Sequence, residues 1–318
     1  MSRVHDALRR AEQGMVPAEE AAAPVVAASV DAPQPAVSLS AGASAAVAVE
    51  PARPAPPPIP PPPPLNGTSI NLPPVRLNIH SGMLGEAPLA PFAPAPESHL
   101  LDLNNSHETP AEEFRTLRTR LNHLQTLQPL HTVVVTSPSP AEGKTFTAVN
   151  LALAEAHLAE SSVLLGDFDL RRPIIHQLFQ VDRAPGLSDF LMGQCTFPQA
   201  LRRIEGMNLY VLPAGSPVKN PLELLNMRQA KALFDELPRS FNWAIFDTPP
   251  LLFSADANLL ATLADGTVLV VKIGSTTFDN VTRAMQSLCE NNVLGIVANG
   301  ARASELYSKY TYYYSKAE

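Results

Sequence analysis

The chain has 318 residues, a formal net charge of −7 and 33 prolines. The acidic balance, without a dense stripe of lysine and arginine, argues against a nucleic-acid binder that works by neutralising phosphates. The two cysteines, Cys195 and Cys289, lack histidine or cysteine neighbours at ligand spacing, which indicates a reducing compartment and no structural zinc. Because we find neither an apolar run of 18 residues nor a signal-peptide pattern, we expect a cytoplasmic protein.

Residues 1–16 are predicted to hold a short amphipathic helix, with Val4, Leu8 and Ala11 on one face. A helix this short is marginal in isolation, so it is either a frayed terminus or a docking peptide for a partner. Residues 17–98 contain twenty of the prolines, many alanines and few charged or aromatic residues. We predict that this segment is a disordered linker, because it buries too little apolar surface to offset the entropy of ordering it.

Residues 99–302 are predicted to form one α/β domain, since short apolar runs alternate there with helical patterns. The apolar runs are continuous rather than alternating, which indicates strands with both faces covered. We therefore expect a doubly wound, mostly parallel sheet with helices on both faces. The predicted strands are Thr132–Thr136, Ser162–Gly166, Leu209–Leu212, Trp243–Phe246, Thr267–Val271 and Leu294–Ala298. The predicted helices between them are Lys144–Ala159, Pro221–Leu237, Ala255–Leu263 and Phe278–Asn291.

The first predicted strand leads through a short loop to Gly143-Lys144-Thr145, which opens a predicted helix. In this arrangement the loop N–H groups and the helix N-terminus surround a phosphate. The lysine reaches the β- and γ-phosphates, and the threonine hydroxyl is a ligand of Mg²⁺. Pro138 stands where the strict pattern has glycine. The sequence therefore predicts a P-loop that binds ATP and Mg²⁺.

Carboxylates follow two further predicted strands. Asp167 and Asp169 end the second strand, and Asp247 follows a four-residue apolar run farther along the chain. Parallel strands bring their carboxyl ends, and the ligands bound there, to one edge of the sheet. Like charges in a half-buried place are costly unless a cation lies between them, which favours a metal site. The alternative is an acidic turn closed by Arg171 or Arg172.

Five of the six tyrosines lie in the last 12 residues of the chain. They are Tyr307, Tyr310, Tyr312, Tyr313 and Tyr314. Residues 303–318 are too polar and too terminal to form core, so we predict a flexible tail. By itself such a tail is merely mobile and aromatic. Beside an ATP site, its hydroxyls become candidate phosphoryl acceptors.

Together these motifs resemble those of the bacterial tyrosine kinases (BY-kinases) of capsule and exopolysaccharide export systems. The resemblance spans about Glu112 to Glu318 and includes the tyrosine cluster and three Walker motifs. The motifs are Walker A ending in Gly143-Lys144-Thr145, Walker A′ Asp167-Phe-Asp169-Leu-Arg171, and Walker B Asp247-Thr-Pro-Pro. The first 13 residues are similar to the N-terminus of soluble members that are encoded separately from their membrane activator.

The resemblance implies a role for each candidate residue. The implied nucleotide contacts are Gly143, Lys144, Thr145, Phe146 and Asn299, the last near the base. The implied Mg²⁺ ligands are Thr145, Asp169 and Asp247. Asp167 would be the base for the tyrosine hydroxyl and, with Lys144, catalytic. Glu112, Arg115 and Arg118 match the family's subunit-contact motif, although a local ion pair between residues three apart is the alternative.

The function that the resemblance implies is that of an ATP-dependent protein-tyrosine autokinase. It would phosphorylate C-terminal tyrosines in trans within a homo-oligomeric ring and regulate polysaccharide synthesis and export. The implied partners are the cytoplasmic segment of a membrane polysaccharide co-polymerase, which would hold the protein at the inner membrane, and a cognate tyrosine phosphatase. One rival is an ATPase switch of the partitioning type, which carries a lysine where Ser139 stands here. The other is an adaptor that binds nucleotide weakly.

Overall fold

The structure of the chain, a computed structural model, describes residues 77, 81–94, 100, 111–159, 161–288 and 293–301. The predicted helix within residues 1–16, most of the predicted linker, Cys289 and the predicted tail of residues 303–318 lie outside these residues. So do all five tail tyrosines.

The described strands form one sheet in the order β1-β4-β5-β3-β6-β2-β7-β8. Neighbouring strands are parallel except β4 and β5, which are antiparallel. The strands are β1 (Leu89–Ala90), β2 (Thr132–Thr136), β3 (Val163–Asp167), β4 (Arg202–Ile204), β5 (Leu209–Leu212), β6 (Trp243–Asp247), β7 (Gly266–Lys272) and β8 (Val293–Asn299). All six predicted strands are confirmed, and the mostly parallel sheet with them.

Helices and one 3-10 turn, Leu237–Arg239, connect these strands. The helices are α1 (Ser81–Leu84), α2 (Ala111–Leu127), α3 (Lys144–Ala156), α4 (Ile175–Leu178), α5 (Leu187–Leu191), α6 (Phe197–Ala200), α7 (Pro221–Leu225), α8 (Arg228–Glu236), α9 (Ala255–Leu263) and α10 (Phe278–Ser287). Within the described part of the chain, no helix combines the length and hydrophobicity that crossing a bilayer requires.

Both faces of the sheet are buried, as the continuous hydrophobicity of the strands predicts. Val133 and Val135 of β2 belong to one core cluster, which contains the buried residues of α2 and α3. Val134 points to the other face and belongs to a second cluster with Leu233 of α8 and Leu260 of α9. Each fully buried side chain of this size contributes about 1.5–3 kcal/mol to folding. The doubly wound fold class is therefore confirmed.

The predicted helix Pro221–Leu237 is divided into α7 and α8. Met227, between the two helices, has extended backbone angles of φ −63° and ψ 151°. The break turns the chain, so that both Leu225 of α7 and Leu233 of α8 reach full burial. Apolar periodicity alone does not reveal such a turn, because the pattern continues across it.

The prediction that the disordered linker extends to residue 98 is wrong, because residues 81–94 are packed against the folded domain. Leu84 and Ala87 are buried in the second core cluster, and β1 pairs with β4 at the edge of the sheet. The N–H of Arg203 donates to the carbonyl of Pro88 at 2.8 Å. A two-residue edge strand takes its stability from the strand it pairs with, so it leaves no long apolar run in the sequence. The folded domain thus begins before residue 98.

Candidate active site

Glu142 and Asn299 hold the loop between β2 and α3 in shape. The side-chain amide of Asn299, at the end of β8, donates to the carbonyl of Glu142 at 2.9 Å. The buried carboxylate of Glu142 accepts hydrogen bonds from the N–H of Ser139 at 3.2 Å and from the Thr276 hydroxyl at 2.8 Å. Gly143 follows with φ 96°, a left-handed conformation that glycine adopts readily. The loop is therefore fastened to β8 and to the segment after β7.

Lys144, the first residue of α3, contacts two carboxylates. Its Nζ lies 3.0 Å from Asp169 Oδ2 and 3.3 Å from Asp247 Oδ1. The Thr145 hydroxyl donates to Asp247 Oδ2 at 2.6 Å. Burial works to lower the pKa of Lys144, but Asp247 and Asp169 outweigh it and raise that pKa. Burial raises the pKa of Asp247 to about 6, against the opposing effects of Lys144 and Thr145.

Asp167 ends β3 directly beside Asp247 of β6. Its Oδ2 accepts hydrogen bonds from the backbone N–H groups of Ile174 and Ile175, each at 3.1 Å. Its Oδ1 is buried and has no hydrogen-bond partner among the described residues. Burial raises the pKa of Asp167 well above its usual value, and the neighbouring Asp247 adds to the rise. The carboxylate is thus held in place through Oδ2, while Oδ1 makes no hydrogen bond to the described residues.

The side chain of Arg171 forms its ion pair with Asp256, and not with Asp167 or Asp169 as the alternative of an acidic turn would require. That guanidinium makes a two-pronged contact with the buried Asp256, with Nε 2.7 Å from Oδ2 and Nη2 3.2 Å from Oδ1. Asp169 Oδ1 instead accepts the backbone N–H of Arg172 at 3.0 Å. Lys144 is therefore the cation that the carboxylates of Asp169 and Asp247 share, and Asp167 lies beside Asp247. The structure brings all four predicted residues together.

Two cavities open around the loop. Lys144, Thr145 and Asp169 line the first, of about 430 Å³. The second, of about 700 Å³, lies between α2 and the end of β8, where Asn299 lines it. Phe146 lines both cavities and packs edge-on against Phe114 of α2, with ring centroids 5.7 Å apart. A long ligand has room on both sides of Phe146.

The chemistry of the side chains around Thr145 suits Mg²⁺. Within the described residues, no three or more histidine, cysteine, aspartate or glutamate side chains are arranged to hold a metal by themselves. Mg²⁺ prefers oxygen ligands and commonly takes one or two carboxylates together with phosphate and water. The Thr145 hydroxyl and the carboxylates of Asp169 and Asp247 provide such oxygens.

The predicted subunit-contact motif lies on α2. Glu112 and Arg115 form an ion pair between residues three apart, as the local alternative predicts. Arg118 donates through Nη1 to the carbonyl of Ala154 in α3, at 2.8 Å. Glu112 also lines the second cavity. The contact with another subunit remains a prediction.

A partly buried chain of hydrogen-bonded side chains fastens α2 to the domain beside this motif. The indole N–H of Trp243 donates to Asn122 Oδ1 at 2.9 Å, and Asn122 Nδ2 donates to Glu155 Oε2 at 3.1 Å. Burial raises the pKa of Glu155 to about 7, although the Asn122 bond and the charge of Arg118 act to lower it. The chain joins β6, α2 and α3.

No protein-family model matches the sequence. The chain is similar to the tyrosine-protein kinase YwqD of Bacillus subtilis, with 37% identity over 208 residues, which are 65% of this chain and 87% of YwqD. The chain belongs to the bacterial tyrosine kinase family. This bacterial tyrosine kinase is also 31% identical over 212 residues to Etk of Escherichia coli, but these residues are only 29% of Etk. The solved kinase domain of Etk is 30% identical, with a TM-score of 0.60, and the match covers 64% of this chain and 82% of that domain.

The family and the fold class that the motifs predict are confirmed by these similarities. The role of Glu142 and Thr276 in shaping the loop is not predicted from the sequence. A glutamate beside Gly143 looks in sequence like an exposed loop residue, and its partner Thr276 is 134 positions away. The burial of Glu142 is visible only once the strands are assembled.

Proposed function

We propose that the chain is an ATP-dependent protein-tyrosine autokinase that phosphorylates the C-terminal tyrosines of a neighbouring copy within an oligomeric ring. Through this reaction it would regulate the synthesis and export of exopolysaccharide or capsule. One observation carries the proposal: Lys144, Thr145 and Asp169 line one cavity, and Lys144 and Thr145 contact Asp247 of β6, which lies beside Asp167 of β3. Membership of the tyrosine kinase family supports the reading of this cavity as a phosphoryl-transfer site.

The triphosphate would lie in the first cavity, against Lys144 and the N-terminus of α3. The base would lie in the second cavity near Asn299, with Phe146 between base and phosphates. Thr145, Asp169 and Asp247 would hold Mg²⁺, which when bound neutralises charge on the phosphate oxygens. Phosphoryl transfer depends mainly on placement and on stabilising charge, and this cavity offers both.

Asp167 would accept the proton of the attacking phenol. The tyrosine oxygen forms a bond to the γ-phosphorus while the bond from that phosphorus to the β–γ bridging oxygen breaks, and ADP leaves. The phenolic proton passes to Asp167, whose Oδ1 has no hydrogen-bond partner among the described residues. The two N–H bonds from Ile174 and Ile175 keep the carboxylate in place meanwhile. A positioned carboxylate of this kind contributes about 10²–10⁴-fold to the rate.

The tail would accept the phosphoryl groups, and its phosphorylation would limit the assembly of the ring. Ala301, two residues before the tail, lines the second cavity, in which the base would lie. Phosphorylating five tyrosines adds roughly 7 to 10 negative charges. The repulsion would loosen a ring held through Glu112, Arg115 and Arg118. A cognate phosphatase would restore it, and a co-polymerase segment at the inner membrane would activate it.

The partitioning-type ATPase is the competing function. It requires a lysine four residues before Gly143, and that residue is Ser139, whose N–H is engaged by Glu142. Five terminal tyrosines also have no use in that mechanism. Both features favour the kinase.

The test is phosphotyrosine formation by the full chain with Mg·ATP, with and without cytoplasmic segments of candidate co-polymerases. Lys144→Met should abolish the signal, and so should Phe at all five tail positions. Tyr210→Phe is the matched control, because Tyr210 is the one tyrosine outside the tail and its ring packing against Phe241 survives. A signal that persists in Lys144→Met or in the five-Phe chain would contradict the proposal.

A further inference from the structure

Phe253 stands exposed on the wall of the first cavity. It lines the cavity together with Lys144 and Asp169, yet 68% of its surface is open to solvent. Its position is fixed: Leu251 N–H donates to the Ser137 carbonyl at 2.9 Å, and Phe253 N–H donates to the Pro250 carbonyl at 3.2 Å. The side chain is thus presented by a rigid turn rather than by a mobile loop.

Nothing in the described domain covers this ring. The described aromatic pairs include Phe146, on the same cavity, but not Phe253. Arg172 lines the cavity as well; its side chain is exposed and enters none of the ion pairs of the described residues. An exposed aromatic ring and an exposed guanidinium therefore line the same cavity as the carboxylate of Asp169.

We propose that Phe253 and Arg172 form the acceptor subsite, which holds the ring of an entering tyrosine from the tail of a second copy. The inference rests on the proposed function and names what that site recognises. Aromatic rings pair at centroid distances of about 4.5–7 Å, and an arginine binds the face of such a ring. A tyrosine hydroxyl lies at the far end of its ring, so a ring held at the wall can direct the hydroxyl into the cavity that Asp169 lines. Serine and threonine have no ring to hold, and the subsite selects against them.

The tail fits this subsite by composition and by reach. Five of the six tyrosines of the chain lie in residues 303–318, which begin two residues after the cavity-lining Ala301. An extended chain advances about 3.3 Å per residue, so Tyr307 to Tyr314 can lie roughly 20 to 45 Å from Ala301. An extended tail can therefore reach well beyond the second cavity of its own copy.

Binding of a labelled peptide tests the proposal without needing turnover. The peptide is residues 302–318 with a fluorescent label, and the host is the full chain with its five tail tyrosines replaced by serine, in Mg²⁺ and a non-hydrolysable ATP analogue. Anisotropy should show that Phe253→Ala weakens peptide binding about tenfold and Arg172→Ala about threefold. The affinity of Phe253→Ala for the ATP analogue should stay within about twofold of the unchanged host. A peptide with serine at all five tyrosines should bind the unchanged host at least as weakly as the normal peptide binds Phe253→Ala.

The matched control is Phe278→Ala, because Phe278 is 50% exposed and lines neither cavity. It should leave peptide affinity unchanged. The proposal is overturned if the host does not bind the peptide or if Phe253→Ala binds it equally well. It is also overturned if Phe253→Ala lowers the affinity for the ATP analogue as much as it lowers the affinity for the peptide. Failure of the proposed function has a different signature, namely a wild-type chain that binds no ATP analogue or forms no phosphotyrosine.

Discussion

The side-chain amide of Asn299 lies so close to Gly143 that a Cβ atom at Gly143 would stand 1.9 Å from its nitrogen. That same nitrogen donates to the carbonyl of Glu142. A side chain at position 143 therefore breaks the hydrogen bond that joins β8 to the loop between β2 and α3. The φ of 96° is a second obstacle, because it is unfavourable for a residue with a Cβ atom.

Gly143→Ala should reduce affinity for ATP at least about tenfold and lower the free energy of unfolding by about 1–2 kcal/mol. The loss of affinity follows from the displaced Asn299, and the loss of stability from the strained backbone. Calorimetric titration and denaturant unfolding measure the two quantities. Gly193→Ala separates them, because Gly193 has φ 72° with no atom within 4 Å of a Cβ and lies outside both cavities. Equal ATP affinity in the two variants would disprove the role of Asn299.

Asp167→Asn should lower the rate of phosphotyrosine formation about 10²–10⁴-fold while ATP affinity changes less than about threefold. Asparagine keeps a carbonyl oxygen for the N–H groups of Ile174 and Ile175 but cannot take a proton from the phenol. Quantitative phosphotyrosine blots and a fluorescent ATP analogue measure the two effects. Asp182→Asn, at an exposed aspartate outside both cavities, should change neither. Full activity of Asp167→Asn would assign the proton to another group.

Leu84→Ala should lower the free energy of unfolding by about 2–5 kcal/mol, because Leu84 is 4% exposed within the second core cluster. Leu89, five residues later, is 63% exposed, and Leu89→Ala should change stability by less than about 0.5 kcal/mol. Denaturant unfolding of both variants provides the comparison. If the two behave alike, residues 81–94 do not belong to the folded domain.

The parts of the structure that sequence predicts are those in which neighbouring residues carry the whole signal. The strand Thr132–Thr136 is a continuous apolar run, and Gly143-Lys144-Thr145 needs only its own loop to be recognised. The strand Arg202–Ile204 has no such run. It is stabilised by pairing with a strand on each side, which cannot be seen from its own residues. The exposure of Phe253 is likewise set by the surrounding fold, because in sequence it continues the apolar run of Leu251 and Leu252.

Glu155 should make stability fall as pH rises. Its pKa is raised to about 7 in the folded chain, from an ordinary value of 4.5, so well below pH 4.5 it is protonated in both states. Between these values the folded state binds more protons, and stability drops by up to about 3 kcal/mol as pH rises through 7. Glu155→Gln removes this loss while its carbonyl still accepts the Asn122 amide.

Thermal unfolding at pH 5 and pH 8 measures the effect of Glu155→Gln. Relative to the wild type, the variant should gain about 1–3 kcal/mol of stability at pH 8 over its difference at pH 5. Glu113→Gln makes the same change at an exposed position of α2 and should leave the pH profile unaltered. A variant whose profile follows that of the wild type would show that Glu155 is not the titrating group.

Trp243 is the one tryptophan of the chain, and it is 1% exposed. Its indole N–H donates a hydrogen bond to Asn122 of α2. Its emission therefore reports on a single junction, without contributions from other indoles. Movement of α2 away from the sheet wets the ring and shifts its fluorescence to longer wavelengths. Movement of α2 can thus be followed in real time in the unlabelled protein.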